Sequence, residues 1–128
     1  LRPSGPPIAD SRVCQSLLDV LLSDDGIAFA AGAATPTSES HAVLDSLAGS
    51  LLRCETVWID VSGHAPGHQP ADNRLAIGQA RAEAVVAYLT GRGVPSERIA
   101  AMGRDIAHGE ARSTPEIVVR VMTRGDAE

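Results

Sequence analysis

The stretch GHAPGHQPADNRLAIGQARAEAVVAYL, residues 63–89, joins a strand to a helix through a loop. Before it, TVWIDVSG (56–63) alternates apolar and polar side chains, which predicts a half-buried strand. After the loop, apolar residues at helical spacing predict a helix over about 74–89, with Gly91 as its C-cap. His, Pro, Gly and Asn between them predict a loop over 64–73. A strand–loop–helix corner of this kind often carries a binding site.

Helices and strands also flank this corner. The first predicted helix has Ser11 as its N-cap and an apolar stripe of five residues: Val13, Leu17, Leu18, Leu21 and Leu22. The other predicted elements are a strand over 26–32, a helix within 35–53, a turn and short helix after 94, and strands over 99–102 and 116–123. Strands that alternate with helices predict an α+β fold, a two-layer sandwich with the helices on one mixed sheet. We predict one domain over 11–123, between a flexible linker over 1–10 and a tail over 124–128.

Composition excludes several classes of function. Phe29, Trp58 and Tyr88 are the only aromatic residues, so the core is aliphatic and few side chains could stack on single-stranded nucleic acid. The net charge of −5 comes without a basic run, which argues against nucleic acid as a partner. No apolar run reaches the roughly 20 residues of a membrane span, so we expect no direct membrane insertion by this domain. The first ten residues also lack the apolar segment of a signal peptide.

Two cysteines, Cys14 and Cys54, stand 40 positions apart and form no CxxC motif. Their spacing leaves two interpretations open. They form a structural disulfide in an oxidising compartment, or they are two buried thiols in the cytosol.

Motifs for catalysis and metal binding are weak. His64 and His68 are four residues apart, but they lie in a predicted loop, where this spacing gives no shared face. No GxSxG turn is present. We therefore predict no enzyme activity, no metal and no cofactor. Arg74, Gly78 and Arg81 share one stripe near the helix start, which suits a carboxylate, although surface helices also carry arginines routinely.

The quoted stretch resembles the OmpA-like domain family, the periplasmic peptidoglycan-binding module of outer-membrane protein A and of peptidoglycan-associated lipoproteins. Family members carry Gly-His-(Thr or Ala)-Asp at a strand end, then a helix reading Asn-x-x-Leu-(Ser or Gly)-x-x-Arg-Ala-x-x-Val. GHAP (63–66) stands at the first motif, IGQARAEAV (77–85) matches the second, and YLTGRGVPSERI (88–99) is similar to the turn that follows. The resemblance covers roughly 11–122. It implies a β-α-β-α-β-β fold with an extra N-terminal helix.

The resemblance also implies a site and a location. In the family, the motif Asp binds the ammonium group of the diaminopimelate residue of a stem peptide, and the helix Arg binds its carboxylate. Arg81 matches that arginine, whereas Pro66 stands where the Asp belongs and Arg74 where the Asn belongs. A shift of one residue would let Asn73 serve as the Asn, and Asp72 could pair with Arg74.

The predicted groove is completed by Gly63, His64 and Ile77. The family's two arginines before the last strand are also missing from RSTPEI (112–117). Because family members lie outside the cytoplasm and some carry a similar cysteine pair, the resemblance favours a Cys14–Cys54 disulfide. It implies a periplasmic or cell-envelope location, within a longer outer-membrane-associated protein.

We therefore predict a non-enzymatic cell-envelope domain with a degenerate peptidoglycan-binding groove. Its expected role is structural or in protein interaction, with another envelope protein as partner and weak or lost binding of the peptidoglycan stem peptide. The alternative is a working module that tethers the envelope to the cell wall by binding the stem peptide through Arg81.

Overall fold

A computed structural model describes residues 5–22, 26–29, 34–55, 57–63, 71–103 and 117–122, with the side chains of the third helix described from residue 75 onward. The elements are α1 (Ser11–Leu21), α2 (Ser40–Arg53), β1 (Trp58–Gly63), α3 (Ala71–Gly91), a short 3-10 helix (Ser96–Arg98), β2 (Ile99–Gly103) and β3 (Ile117–Met122). Three helices and a mixed three-stranded sheet confirm the predicted α+β class.

The sheet has the order β2-β1-β3, so the strand before the quoted stretch is central. β1 runs parallel to β2, with Gly63 opposite Gly103, and antiparallel to β3, with Val61 opposite Val119. Ile59 and Val61 are buried and Trp58 is 47% exposed, as the predicted alternation requires, whereas Ser62, on the same face as Trp58, is buried. The buried face of the sheet and the helices enclose one aliphatic core.

Helix α1 begins and ends differently from the prediction. Its N-cap is Asp10 and not Ser11, because the Asp10 backbone is extended and its carboxylate accepts the backbone N–H of Arg12 at 2.8 Å. The helix ends at Leu21, and Leu22, predicted to be part of its apolar stripe, is the C-cap. Its buried stripe consists of Cys14 and Leu18, whereas Val13, predicted to be part of it, is 52% exposed.

The strand predicted over 26–32 falls partly outside the described residues. In the described part, Phe29 forms an isolated antiparallel bridge with Pro36, and the backbone N–H of Thr37 donates to the carbonyl of Ala28. Proline has no N–H, so Pro36 itself donates no hydrogen bond to this pairing.

Helix α3 starts at Ala71, earlier than predicted, and its last residue is Gly91. The C-cap glycine is Gly93 and not the predicted Gly91, because Gly93 has a φ of 107°. The Gly93 N–H donates to the carbonyl of Thr90, and the Val94 N–H donates to that of Leu89. These two bonds form a Schellman motif, in which the buried Val94 and Leu89 supply the usual hydrophobic contact.

The Cys14–Cys54 disulfide favoured by the resemblance is present and joins α1 to the end of α2, with the two Cα atoms 6.2 Å apart. Both cysteines are fully buried. The segment before α1 lies along the same end of α2, because the Ile8 N–H donates to the carbonyl of Arg53 at 2.6 Å and the Arg53 side chain donates to the carbonyl of Pro6 at 2.9 Å.

Candidate functional site

The candidate site lies where the C-terminal end of β1 meets the first half of α3, which we call the β1–α3 corner. Gly63 ends β1, and a Cβ atom added there would collide with the carbonyl oxygen of Gly78 and come within 3.0 Å of the Ala82 nitrogen. Gly78 is itself buried. A glycine in the middle of a helix is unfavourable by about 1 kcal/mol relative to alanine. At Gly78, the absence of a side chain allows the backbones of α3 and β1 to come into contact.

The neighbouring strand meets α3 in the same way. Gly103 lies opposite Gly63 in the parallel register, and a Cβ there would come within 2.6 Å of the Gln79 nitrogen and 2.7 Å of the Leu75 carbonyl oxygen. The first half of α3 therefore rests directly on the ends of two parallel strands. This close packing sets the position of the two described α3 residues in the predicted groove, Ile77 and Arg81.

Arg81 is buried, with 4% of its surface exposed. Its guanidinium carbon lies 5.0 Å from the centroid of the Phe29 ring, which is 8% exposed. Stacking on an aromatic face uses one face of the planar guanidinium group and leaves the N–H donors at its edge for other partners. The arginine that matches the family motif is therefore part of the packed interior.

Phe29 is held in place from α2. The Ser40 hydroxyl accepts the backbone N–H of Ala28 at 2.8 Å and lies 3.3 Å from the Ala28 carbonyl oxygen and 3.0 Å from the Thr37 hydroxyl. Ser40 is buried and is the first residue of α2. The start of α2 thus fixes the backbone beside Phe29, and Phe29 in turn packs on Arg81.

One acidic residue of β1 lies near the corner but on the other face of the sheet. Asp60 alternates with the buried Ile59 and Val61, and its carboxylate accepts the Ser62 hydroxyl at 3.0 Å. Because α3 packs on the face of β1 that carries Ile59, Val61 and Gly63, Asp60 lies on the opposite face from the β1–α3 corner.

Only some of the predicted site residues lie within the part of the chain that the structure describes. Gly63 meets α3 at Gly78 and Ala82, and Ile77 and Arg81 are their neighbours along that helix. His64 and Pro66 lie outside the described residues, and Asn73 and Arg74 lie in the first turn of α3, with their side chains outside the description. Sequence reasoning missed Phe29 and Ser40. The single phenylalanine in the apolar run 26–32 was the signal available for the first of these.

A second polar cluster joins the outer surfaces of α2 and α3. The Tyr88 hydroxyl donates to the Asp45 carboxylate at 2.7 Å and accepts from Arg92 at 3.0 Å, while Arg92 also lies 3.2 Å from Asp45. The His41 ring stacks on Tyr88 with centroids 5.5 Å apart. The hydrogen bond to Tyr88, and then the charge of Asp45, raise the pKa of Arg92 above its ordinary value.

Within the described ranges, no three His, Cys, Asp or Glu side chains are grouped to hold a metal ion. His64 and His68 lie outside those ranges. Among the described helices, none combines the length and the apolar character needed to cross a bilayer.

Comparison with known proteins now identifies the class. The chain belongs to the OmpA family, whose model matches residues 28–118. This range contains the β1–α3 corner and confirms the family expected from the GHAP and IGQARAEAV motifs. No curated protein sequence is significantly similar to the chain.

Three solved structures illustrate proteins that share this fold. A putative MotB-like protein from Desulfovibrio vulgaris has a TM-score of 0.68 and 20% identity, covering 89% of this chain and 91% of that one. The peptidoglycan-associated lipoprotein from Burkholderia pseudomallei has a TM-score of 0.62 and 21% identity, covering 80% and 98%. The cell wall anchor of the T6SS from Pseudomonas aeruginosa has a TM-score of 0.63 and 22% identity, covering 83% and 96%.

Proposed function

We propose that this chain is a non-enzymatic domain of the bacterial cell envelope whose peptidoglycan-type groove is degenerate. It binds the stem peptide weakly or not at all, and its role is structural or in contact with another envelope protein. The periplasm is the compartment that suits this role and the Cys14–Cys54 disulfide.

The burial of Arg81 carries this proposal. A zwitterionic diaminopimelate group needs an acid for its ammonium and a donor for its carboxylate. Pro66 cannot supply the acid, and Arg81, the matching donor, is 4% exposed and packed on Phe29. An arginine so enclosed contributes to the packing of α3 against the segment that carries Phe29. A charge-assisted hydrogen bond is worth about 1.5–3 kcal/mol, so losing one would weaken binding by roughly 10- to 100-fold.

The alternative is a working tether that binds the stem peptide through Arg81. The close contact of Gly63 with Gly78 favours this alternative, because it keeps the corner geometry that brings the motif strand end beside the motif helix. The solved structures with the same fold include a cell wall anchor and a peptidoglycan-associated lipoprotein.

The free energy of unfolding of the Arg81→Ala variant distinguishes the degenerate groove from the working tether. If Arg81 is a packing residue, the variant loses the contact with Phe29, and its free energy of unfolding falls by about 1–3 kcal/mol. If Arg81 is mainly a ligand residue, the variant unfolds like the wild type but no longer binds. Urea denaturation measures the free energy of unfolding. Arg12→Ala is the matched control, because Arg12 is exposed on α1.

Sedimentation with purified diaminopimelate-type peptidoglycan measures binding. We expect that the wild type stays in the supernatant and that Pro66→Asp, which restores the acid of the motif, pellets. A wild type that pellets, together with an Arg81→Ala variant of unchanged stability that does not, would overturn the degenerate-groove proposal in favour of the tether.

A further inference from the structure

The two outer strands of the described sheet are covered at one point each by a glutamine from a helix. On β3, the Gln15 side chain donates to the Val119 carbonyl at 3.2 Å and accepts the Val121 N–H at 2.6 Å. On β2, the Gln79 side chain donates to the Ala101 carbonyl at 3.3 Å and accepts the Gly103 N–H at 2.6 Å.

Each glutamine thus imitates one residue of an added strand. In a parallel ladder, one residue bonds the C=O of one partner residue and the N–H of the residue two positions later. Each amide is also oriented by an acid one helical turn further on. Gln15 donates to Asp19 at 2.9 Å, and Gln79 donates to Glu83 at 3.3 Å. A glutamine side chain therefore bonds the strand backbone in the same way at both edges of the described sheet.

The two covers differ in how they are held. Gln79 belongs to α3, which rests on Gly63 and Gly103 and forms part of the core. Gln15 belongs to α1, an 11-residue helix whose buried residues are Cys14 and Leu18. Cys14 is the neighbour of Gln15 in the chain, and its disulfide to Cys54 fastens this helix to α2.

We propose that α1 is a disulfide-held strap over the outer edge of β3. Gln15 occupies the backbone groups of Val119 and Val121, and the Cys14–Cys54 bridge keeps it there. An uncovered edge strand is a template for pairing with another chain, and β3 reads IVVRVM, rich in β-branched residues. A dithiol that reduces the bridge supplies two electrons and two protons, yields two thiols and leaves as its own disulfide. The strap is then free to lift.

Residue-resolved amide hydrogen exchange on the oxidised, full 128-residue chain tests the strap. The Val121 N–H faces Gln15, whereas the N–H of Arg120, opposite Asp60, faces β1 by the alternation of the antiparallel ladder. In Gln15→Ala we expect the Val121 amide to exchange about tenfold faster, while those of Arg120 and Gly103 keep their rates. Ser16→Ala, an exposed neighbour on α1, is the matched control.

The bridge is tested by the same readout in Cys14→Ala/Cys54→Ala and in the dithiol-reduced wild type. The ratio of the Val121 rate to the Arg120 rate should rise about tenfold, because the strap opens without unfolding the sheet. An unchanged ratio means that the bridge stabilises only the whole fold and overturns the strap. An unchanged Val121 rate in Gln15→Ala, which retains the bridge, overturns it as well.

Discussion

At the scale of single residues, Gly63 at the end of β1 and Gly91 at the end of α3 should respond to alanine in opposite directions. A Cβ at Gly63 collides with the Gly78 carbonyl, whereas a Cβ at Gly91 meets nothing within 4 Å. We expect Gly63→Ala to lower the free energy of unfolding by about 3 kcal/mol through overpacking. Gly91→Ala should raise it by about 0.5–1 kcal/mol, because alanine is the better helix former. Urea denaturation of both variants measures the difference.

Equal stabilities for these two variants would contradict the close approach of β1 and α3. The Gly63→Ala variant also tests the packing of Arg81 in the predicted groove. If Gly63→Ala moves α3 away from the strand end, the packing of Arg81 on Phe29 should loosen with it, since both contacts involve the same half of α3.

At the scale of elements, the two residues at the start of α1 offer a test of where the helix begins. The Asp10 carboxylate accepts the Arg12 N–H, and its backbone is extended, as an N-cap requires. Replacing an N-cap carboxylate by alanine costs about 1 kcal/mol. We therefore expect Asp10→Ala to lower the free energy of unfolding by about 1 kcal/mol and Ser11→Ala to leave it nearly unchanged. Thermal and urea unfolding should agree, and the reverse order would place the cap at Ser11.

The helix ends show what local patterns can and cannot predict. Periodicity predicted each α-helix of the described residues, because burial of one stripe requires it. Residue preferences placed two caps wrongly, at Ser11 and Gly91, because Asp10 and Gly93 are of residue types that suit a cap equally well. The choice among them depends on the backbone dihedrals, such as the positive φ of Gly93, which arise only when the chain packs.

At the scale of the whole molecule, the motifs located the β1–α3 corner but not all of its contents. Gly63, Ile77 and Arg81 could be proposed together from the sequence because they lie within one continuous stretch. Phe29 and Ser40 were not, because Phe29 reaches Arg81, and Ser40 reaches the backbone beside Phe29, only after the chain has folded. The hydrogen bond between Gln15 and the edge of β3 could not be predicted either, since Gln15 is more than a hundred residues from Val119.

The disulfide acts on the stability of the entire chain. A bridge between residues 40 positions apart lowers the entropy of the unfolded chain, which is worth about 4 kcal/mol in the chain-entropy model. We therefore expect Cys14→Ala/Cys54→Ala to unfold at a markedly lower urea concentration than the oxidised wild type. Alanine is the better replacement, because both sites are fully buried and a serine hydroxyl would need a partner there.

Two further measurements separate the bridge from the packing of the cysteine side chains. The oxidised protein in denaturant should contain no titratable thiol, and the dithiol-reduced wild type should unfold close to the double variant. If the reduced wild type matched the oxidised one instead, the lost stability of the variant would come from the two cavities rather than from the bridge. Since Leu18 and Cys14 are the buried residues of α1, the helix would then be held by packing alone, and reduction would not release it from β3.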